Sequence, residues 1–269
     1  MSEQIGIIDV WTQYLSPTPP EKRSAQAENV FKRYGKLAWY HNGTNLQQML
    51  EDMDESGVEI ACISGEPHFV REAVRQHPKR FIGEYHADPT NIMAAVRGLQ
   101  EHVEKYGFKL LRIEPFMWRK PPTDAVYYPL YAKCIELDVA FQTQVGNTGP
   151  LFPSETGRPT YIDQVALDFP ELRIICGHIG WPWTEEMIAI AWKHANVVID
   201  TSAHAPRHYP PAFVNFLKTF GQDKVCFATD YPLLNFARVT KEIDEHLGLT
   251  PEVKRKFLRD NARRILKLE

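Results

Sequence analysis

The chain has 269 residues, 43% apolar and 24% charged, with a net charge of −3. That balance is ordinary for a globular protein and leaves no basic footprint for nucleic acid or an anionic membrane. No apolar run approaches the ~18 residues of a membrane span, and Met1-Ser2-Glu3-Gln4 lacks the basic and apolar parts of a secretory leader, so the expected location is cytoplasmic.

Short β-branched runs recur in chain order at 5–11, 58–64, 80–86, 108–116, 139–146, 172–180, 196–202 and 224–230. Each reads as a strand. Helical periodicity fills most of the intervals, at 45–57, 91–107, 127–137, 161–168, 184–194, 211–220, 237–247 and 251–268. In 45–57, for example, Leu46, Met49, Leu50 and Met53 share one face. Strands separated by helices pair in parallel through right-handed crossovers. Eight such units predict a (β/α)8 TIM barrel, an α/β fold, as one domain over residues 1–269; a single barrel typically takes ~250 residues. A doubly wound open sheet is the rival, but no glycine-rich phosphate loop follows any strand. Two long segments, about 14–43 and 146–159, fall outside the repeat and are expected to cover the active site. The four cysteines, Cys62, Cys134, Cys176 and Cys226, form no C-x-x-C pair and read as buried free thiols.

Barrel active sites lie at the C-terminal ends of the strands. Here those ends carry Asp9-Val10-Trp11-Thr12-Gln13, Arg112-Ile113-Glu114, Gln142-Thr143-Gln144, Gly177-His178, Asp200-Thr201-Ser202-Ala203-His204 and Asp230-Tyr231. Alternation puts Asp9, Trp11 and Gln13 on one face, and likewise Arg112 with Glu114, Gln142 with Gln144, and Asp200 with Ser202. A single polar strand end often only caps the next helix. Several strands agreeing point instead to a pocket, because burying such groups costs several kcal/mol each, of order 2–7, unless they are paired or used.

Four stretches resemble the amidohydrolase-related (amidohydrolase-2) branch of the amidohydrolase superfamily. They are Ile8-Asp9-Val10-Trp11-Thr12-Gln13, the run Phe169–Gly180 ending Gly177-His178-Ile179-Gly180, Ala228-Thr229-Asp230-Tyr231-Pro232, and Asp260–Leu266. The resemblance implies a metal held by two strand-1 histidines, a strand-5 histidine and the strand-8 aspartate. This sequence has Trp11, Gln13 and Gln144 at three of those positions and keeps Asp230 and His178. Amides and indole are poor ligands for zinc and its relatives. The expectation is therefore no cofactor, with a zinc or manganese site rebuilt from Asp9, Glu114, His178 and Asp230 as the alternative.

The leading expectation is a metal-independent hydrolase of a small lactone or ester, with a small-molecule substrate and no nucleic-acid or membrane partner. Asp230 is assigned as general base, His178 as donor to the developing oxyanion and Glu114 as a second acid–base group. Trp11, Gln13, Arg112, Gln144, His204 and Tyr231 are assigned to substrate binding, with Arg112 pairing Glu114 as the structural reading. The alternatives are a non-oxidative decarboxylase, with Arg112 anchoring the carboxylate, and a non-catalytic ligand-binding protein. Many relatives are dimers, so a homodimer is a further expectation; the aromatic stretches at 38–41 and 181–183 would serve as interface, as substrate loops or as core.

Overall fold

The structure, a computed structural model, describes residues 5–269. Eight parallel strands follow one another in sequence order: β1 Ile7–Tyr14, β2 Val58–Gly65, β3 Phe81–His86, β4 Leu110–Ile113, β5 Ala140–Gln144, β6 Ile174–Gly177, β7 Val197–Asp200 and β8 Val225–Cys226. The sheet closes on itself. Beyond β8, Val10 N–H donates to Phe227 O at 3.1 Å, Asp230 N–H to Trp11 O at 2.9 Å and Gln13 N–H to Tyr231 O at 2.8 Å. This is the (β/α)8 barrel that the eight periodic runs predict.

Strand alternation sorts the apolar residues into two cores. Ile8, Val10, Cys62, Ile82, Leu110, Ala140, Ile175, Val198 and Cys226 fill the barrel interior. Their neighbours Ile7, Ile63, Phe81, Leu111, Phe141, Ile174, Val197 and Val225 pack outward against the helices. All four cysteines are buried and free. Above the apolar floor the interior turns polar, with Ser64, Glu84, Arg112, Gln142 and Asp200 two residues further along their strands.

Three departures from the sequence pattern have local causes. The segment read as a loop between β1 and β2 contains two short helices, Ala25–Arg33 and Leu37–Asn42. Ser24 caps the first through its hydroxyl, which accepts from Ala27 N, and Val30 and Phe31 are its only buried side chains. A helix absent from the periodic runs, Pro67–Gln76, follows β2; it buries only Val70 and Ala73, too few to show periodicity. The final helical run is divided into Pro251–Arg255, a π-helical turn Lys256–Asp260 and Asn261–Leu266.

The fourth departure moves a candidate site residue. The β1–β2 register slips between Asp9 and Thr12, and Asp9 Oδ1 accepts the Trp11 N–H at 3.0 Å. That local bond supports a bulge, which reverses the side-chain alternation. Ile8 and Val10 face the interior below the bulge, and Trp11 joins the same interior cluster above it. Asp9 does not share their face. It clips β1 to the β8 segment, taking Thr229 Oγ1 at 2.6 Å and Thr229 N at 3.1 Å. Among the described residues no helix is long and apolar enough to cross a membrane.

Candidate active site

A cavity of about 490 Å³ opens at the C-terminal ends of the strands, within the range of small-molecule sites. Trp11, Phe31, Tyr34, Phe116 and Trp181 give it aromatic walls. Gln13, His86, Glu114, Gln144, His178, His204 and Asp230 give it polar ones. Both long segments contribute: Val30, Phe31 and Tyr34 from the first, Asn147, Gly149 and Pro150 from the second. In the second segment Gly146 has φ +91, and a β-carbon there would lie 2.4 Å from Trp181 O, so the chain turns as only glycine allows.

The residues that follow β6 and β8 sit in strained backbone. His178 has φ 71 and Asp230 φ 62, the left-handed region that costs about 1–3 kcal/mol for such residues. Fixed hydrogen bonds hold both: His178 N–H donates to Ser202 Oγ at 3.2 Å, and Asp230 N–H to Trp11 O at 2.9 Å. The turns bring the two side chains together, with His178 Nε2 3.7 Å from Asp230 Oδ2. Burial pushes the Asp230 carboxyl up to about 7, against the Gln13 hydrogen bond at 2.6 Å and the Arg112 charge, which pull it down. Burial holds His178 well below the usual imidazole value, with His204 and Arg112 adding to the effect. The imidazole is therefore neutral.

Its tautomer follows from the next bonds. Asp200 Oδ1 receives Ser202 Oγ at 2.5 Å, Ser202 N at 2.9 Å and His178 N at 3.4 Å. Ser202 thus donates its hydroxyl proton to Asp200, and its oxygen accepts from His178 Nδ1 at 2.6 Å. With Asp200 ionised, this order of donors leaves the proton on Nδ1 and an Nε2 lone pair toward Asp230. In that arrangement His178 Nε2 accepts at rest. Trp11 lies edge-on to the imidazole, ring centroids 4.9 Å apart. Gly177 makes room for it, since a β-carbon there would come within 2.6 Å of the indole.

Across the cavity Glu114 forms an ion pair with His86. Burial disfavours charge on His86, but the adjacent Glu114 carboxylate outweighs it and the net shift is upward. Glu114 likewise ends below its ordinary value, because His86 and Arg112 together overcome its burial. His86 was missed from the sequence although it ends β3, where the strand-end rule that found Glu114 applies equally. Ser202 was grouped with Asp200 but given no role. Tyr34 lies in the segment read as a loop.

Three assignments made from the sequence are corrected. Arg112 does not line the cavity: it is 1% exposed and stacks under Trp11, 3.8 Å from the ring centroid. It pairs with Glu84 at 2.5 Å, not with Glu114, and donates to Ser64 Oγ and Gln142 Oε1. It is spent on the layer beneath the site and cannot anchor a substrate carboxylate. Tyr231 points outward, its hydroxyl on Asp52 at 2.9 Å, because it follows Thr229 on the outer side of the strand. A metal site rebuilt from Asp9, Glu114, His178 and Asp230 is not assembled, since Asp9 is outside the barrel interior and Glu114 is held by His86. Gln13, Gln144 and His204 do line the cavity. Gln144 Nε2 donates to Asn147 O at 3.0 Å, and His204 Nδ1 bonds Ser202 O at 3.0 Å. Of the aromatic stretches, Trp39 packs on Tyr231 and Trp181 borders the cavity.

The fold and this strand-end constellation define a barrel of the amidohydrolase kind. Residues 8–268 match the amidohydrolase family Amidohydro_2, and the chain belongs to it. Among solved structures it is similar to an uncharacterised TIM-barrel protein from Bordetella bronchiseptica, with 23% identity and a TM-score of 0.79 over 97% of this chain and 98% of that one. It is similar also to 2,6-dihydroxybenzoate decarboxylase from Rhizobium, with 18% identity and a TM-score of 0.75 over 98% and 99% of the two chains. A third is 5-carboxyvanillate decarboxylase from Novosphingobium aromaticivorans complexed with manganese, with 16% identity and a TM-score of 0.76 over 97% and 96%.

That manganese complex overturns the expectation of a cofactor-free site, which is withdrawn. Gln13 directs an N–H at Asp230 Oδ1, and Trp11 presents only carbon and a donor N–H. Among the described residues no three His, Cys, Asp or Glu side chains converge to hold an ion. This set does not fit a metal held by three such ligands.

Proposed function

We propose that this chain is a carboxy-lyase that removes carbon dioxide from a small aromatic or unsaturated acid by protonating carbon. The observation that carries the reading is the Asp230 carboxyl, buried, lifted to about 7 and facing a neutral imidazole inside an aromatic-walled cavity. An acid that is half protonated near neutrality can deliver a proton and recover it. The decarboxylases among the similar structures support the same reaction class.

The substrate ring lies against Trp11 and the aromatic walls. Asp230 gives its proton to the ring carbon that bears the carboxylate. The carbon–carboxylate bond then breaks, its electron pair restores the π system, and carbon dioxide leaves. Gln13 orients Asp230 through the 2.6 Å hydrogen bond. His178 Nε2, held as a lone pair by Ser202 and Asp200, accepts from water or from protonated Asp230 as the acid is recharged. His86, which Glu114 shifts toward its protonated form, offers a hydrogen bond to an ionised substrate oxygen.

The test is a panel of hydroxybenzoates in D2O with manganese supplied. Carbon dioxide release with deuterium at the vacated carbon is the expected result. The rate should fall as pH rises through about 7, because the working form of Asp230 is the protonated one. A rate that instead rises through 7, with lactones or esters opened and no carbon dioxide, would make Asp230 the base of a hydrolase. Saturable binding without turnover of any member would leave a ligand-binding protein.

A further inference from the structure

A second cavity of about 270 Å³ adjoins the first and shares Arg33, Tyr34 and Ala203 with it. Its remaining lining includes His208 and Arg238, so every ionisable side chain in it is basic except Tyr34, and none is acidic. Arg33 makes no ion pair among the described residues. Arg238 uses Nε on Glu242 at 2.9 Å, and that single carboxylate also serves Arg207 at 3.6 Å. The terminal nitrogens of Arg238 have no protein acceptor among the described residues. This local excess of positive charge stands out in a chain whose net charge is −3.

Tyr34 marks the seam between the two cavities. Its hydroxyl donates to Ala203 O at 2.9 Å. Burial is the largest influence on it, followed by the negative Asp230 on one side and the positive Arg33 and Arg238 on the other. A ligand that fills both cavities therefore meets the proton-transfer group at one end and two guanidinium forks at the other. Such forks suit planar or tetrahedral oxyanions.

We propose that the second cavity is an anion subsite, and that the substrate carries a second oxyacid group, carboxylate or phosphate, on an arm extending past Tyr34. This rests on the carboxy-lyase reading for the first cavity but is tested by binding alone. Calorimetric titration of the full chain would compare benzoate with 3-(carboxymethyl)benzoate and its phosphonomethyl analogue. The two-anion ligands should bind at least about tenfold more tightly, roughly 1.4 kcal/mol. That advantage should vanish in Arg33→Gln/Arg238→Gln and shrink at high salt. The stronger of the two arms identifies the source as carboxylate or phosphate. Equal affinities in the unmodified chain, an advantage that survives in the double variant, or no binding of any of the three would overturn the subsite. Both arginines are exposed on helices, so the double variant should fold; an unchanged melting temperature is the control. If panel acids yield no carbon dioxide while the arm still gains affinity, the lyase reading fails and the subsite stands.

Discussion

Two layers of the barrel use the same kinds of side chain for opposite ends. In the inner layer Glu84, Arg112, Gln142 and Asp200 are nearly inaccessible, and their polar atoms are turned on one another: Arg112 on Glu84 and Gln142, and Gln142 within 3.5 Å of Asp200. Two residues further along the same strands stand His86, Glu114, Gln144 and Ser202. The first three border the cavity, and Ser202 supports His178 there. The step between layers is about 7 Å of strand. Below it a charge is neutralised by protein. Above it His86, Glu114 and Gln144 border open space, where a substrate can reach them. What distinguishes structure from chemistry here is depth along the strand, since residue type and facing are the same.

The comparison can be broken most sharply at Asp230. Asp230→Asn should lower turnover by about 10²–10⁴-fold with little change in melting temperature, because Asn tolerates the left-handed backbone at φ 62. Full activity, or a collapse of the fold, would place Asp230 with the structural layer. Arg112→Met should do the reverse. It strips the buried Glu84 of its partner, so urea unfolding should show a loss of about 3–5 kcal/mol, and the Arg112→Met/Glu84→Gln double variant should recover part of it.

Smaller effects sharpen the boundary. Ser202→Ala removes the bond that keeps the proton on His178 Nδ1. Turnover should fall about a hundredfold, and the imidazole NMR signals should report mixed tautomers; a purely packing role would leave them alone. A pH titration separates Asp9, whose carboxyl burial pushes up to about 8 despite its bonds to Thr229 and Trp11. An acid raised in the folded state holds its proton more tightly there. Its contribution to stability is therefore complete below the ordinary value of 3.8 and is lost as pH rises toward 8. Asp9→Asn should flatten the fall in unfolding free energy across that window, measured against the unmodified chain.

The sequence by itself determined the barrel and the rim. Eight short β-branched runs separated by helical periodicity admit few other closures, and their polar C-terminal ends brought Gln13, Glu114, Gln144, His178 and Asp230 to one mouth. Hydrophobic alternation is a local property of neighbouring side chains, so it survives in one dimension. The tertiary structure alone decided which polar strand ends are open. The bulge at Trp11 turned Asp9 out of the barrel, because a register slip is visible only against the partner strand. Arg112 found Glu84 on β3, and His86 found Glu114 on β4, pairings between segments about 28 residues apart whose relative heights depend on barrel stagger. The direction of the His178 lone pair was likewise set by Ser202 and Asp200 on the next strand, a chain of hydrogen bonds that exists only once β6 and β7 lie side by side.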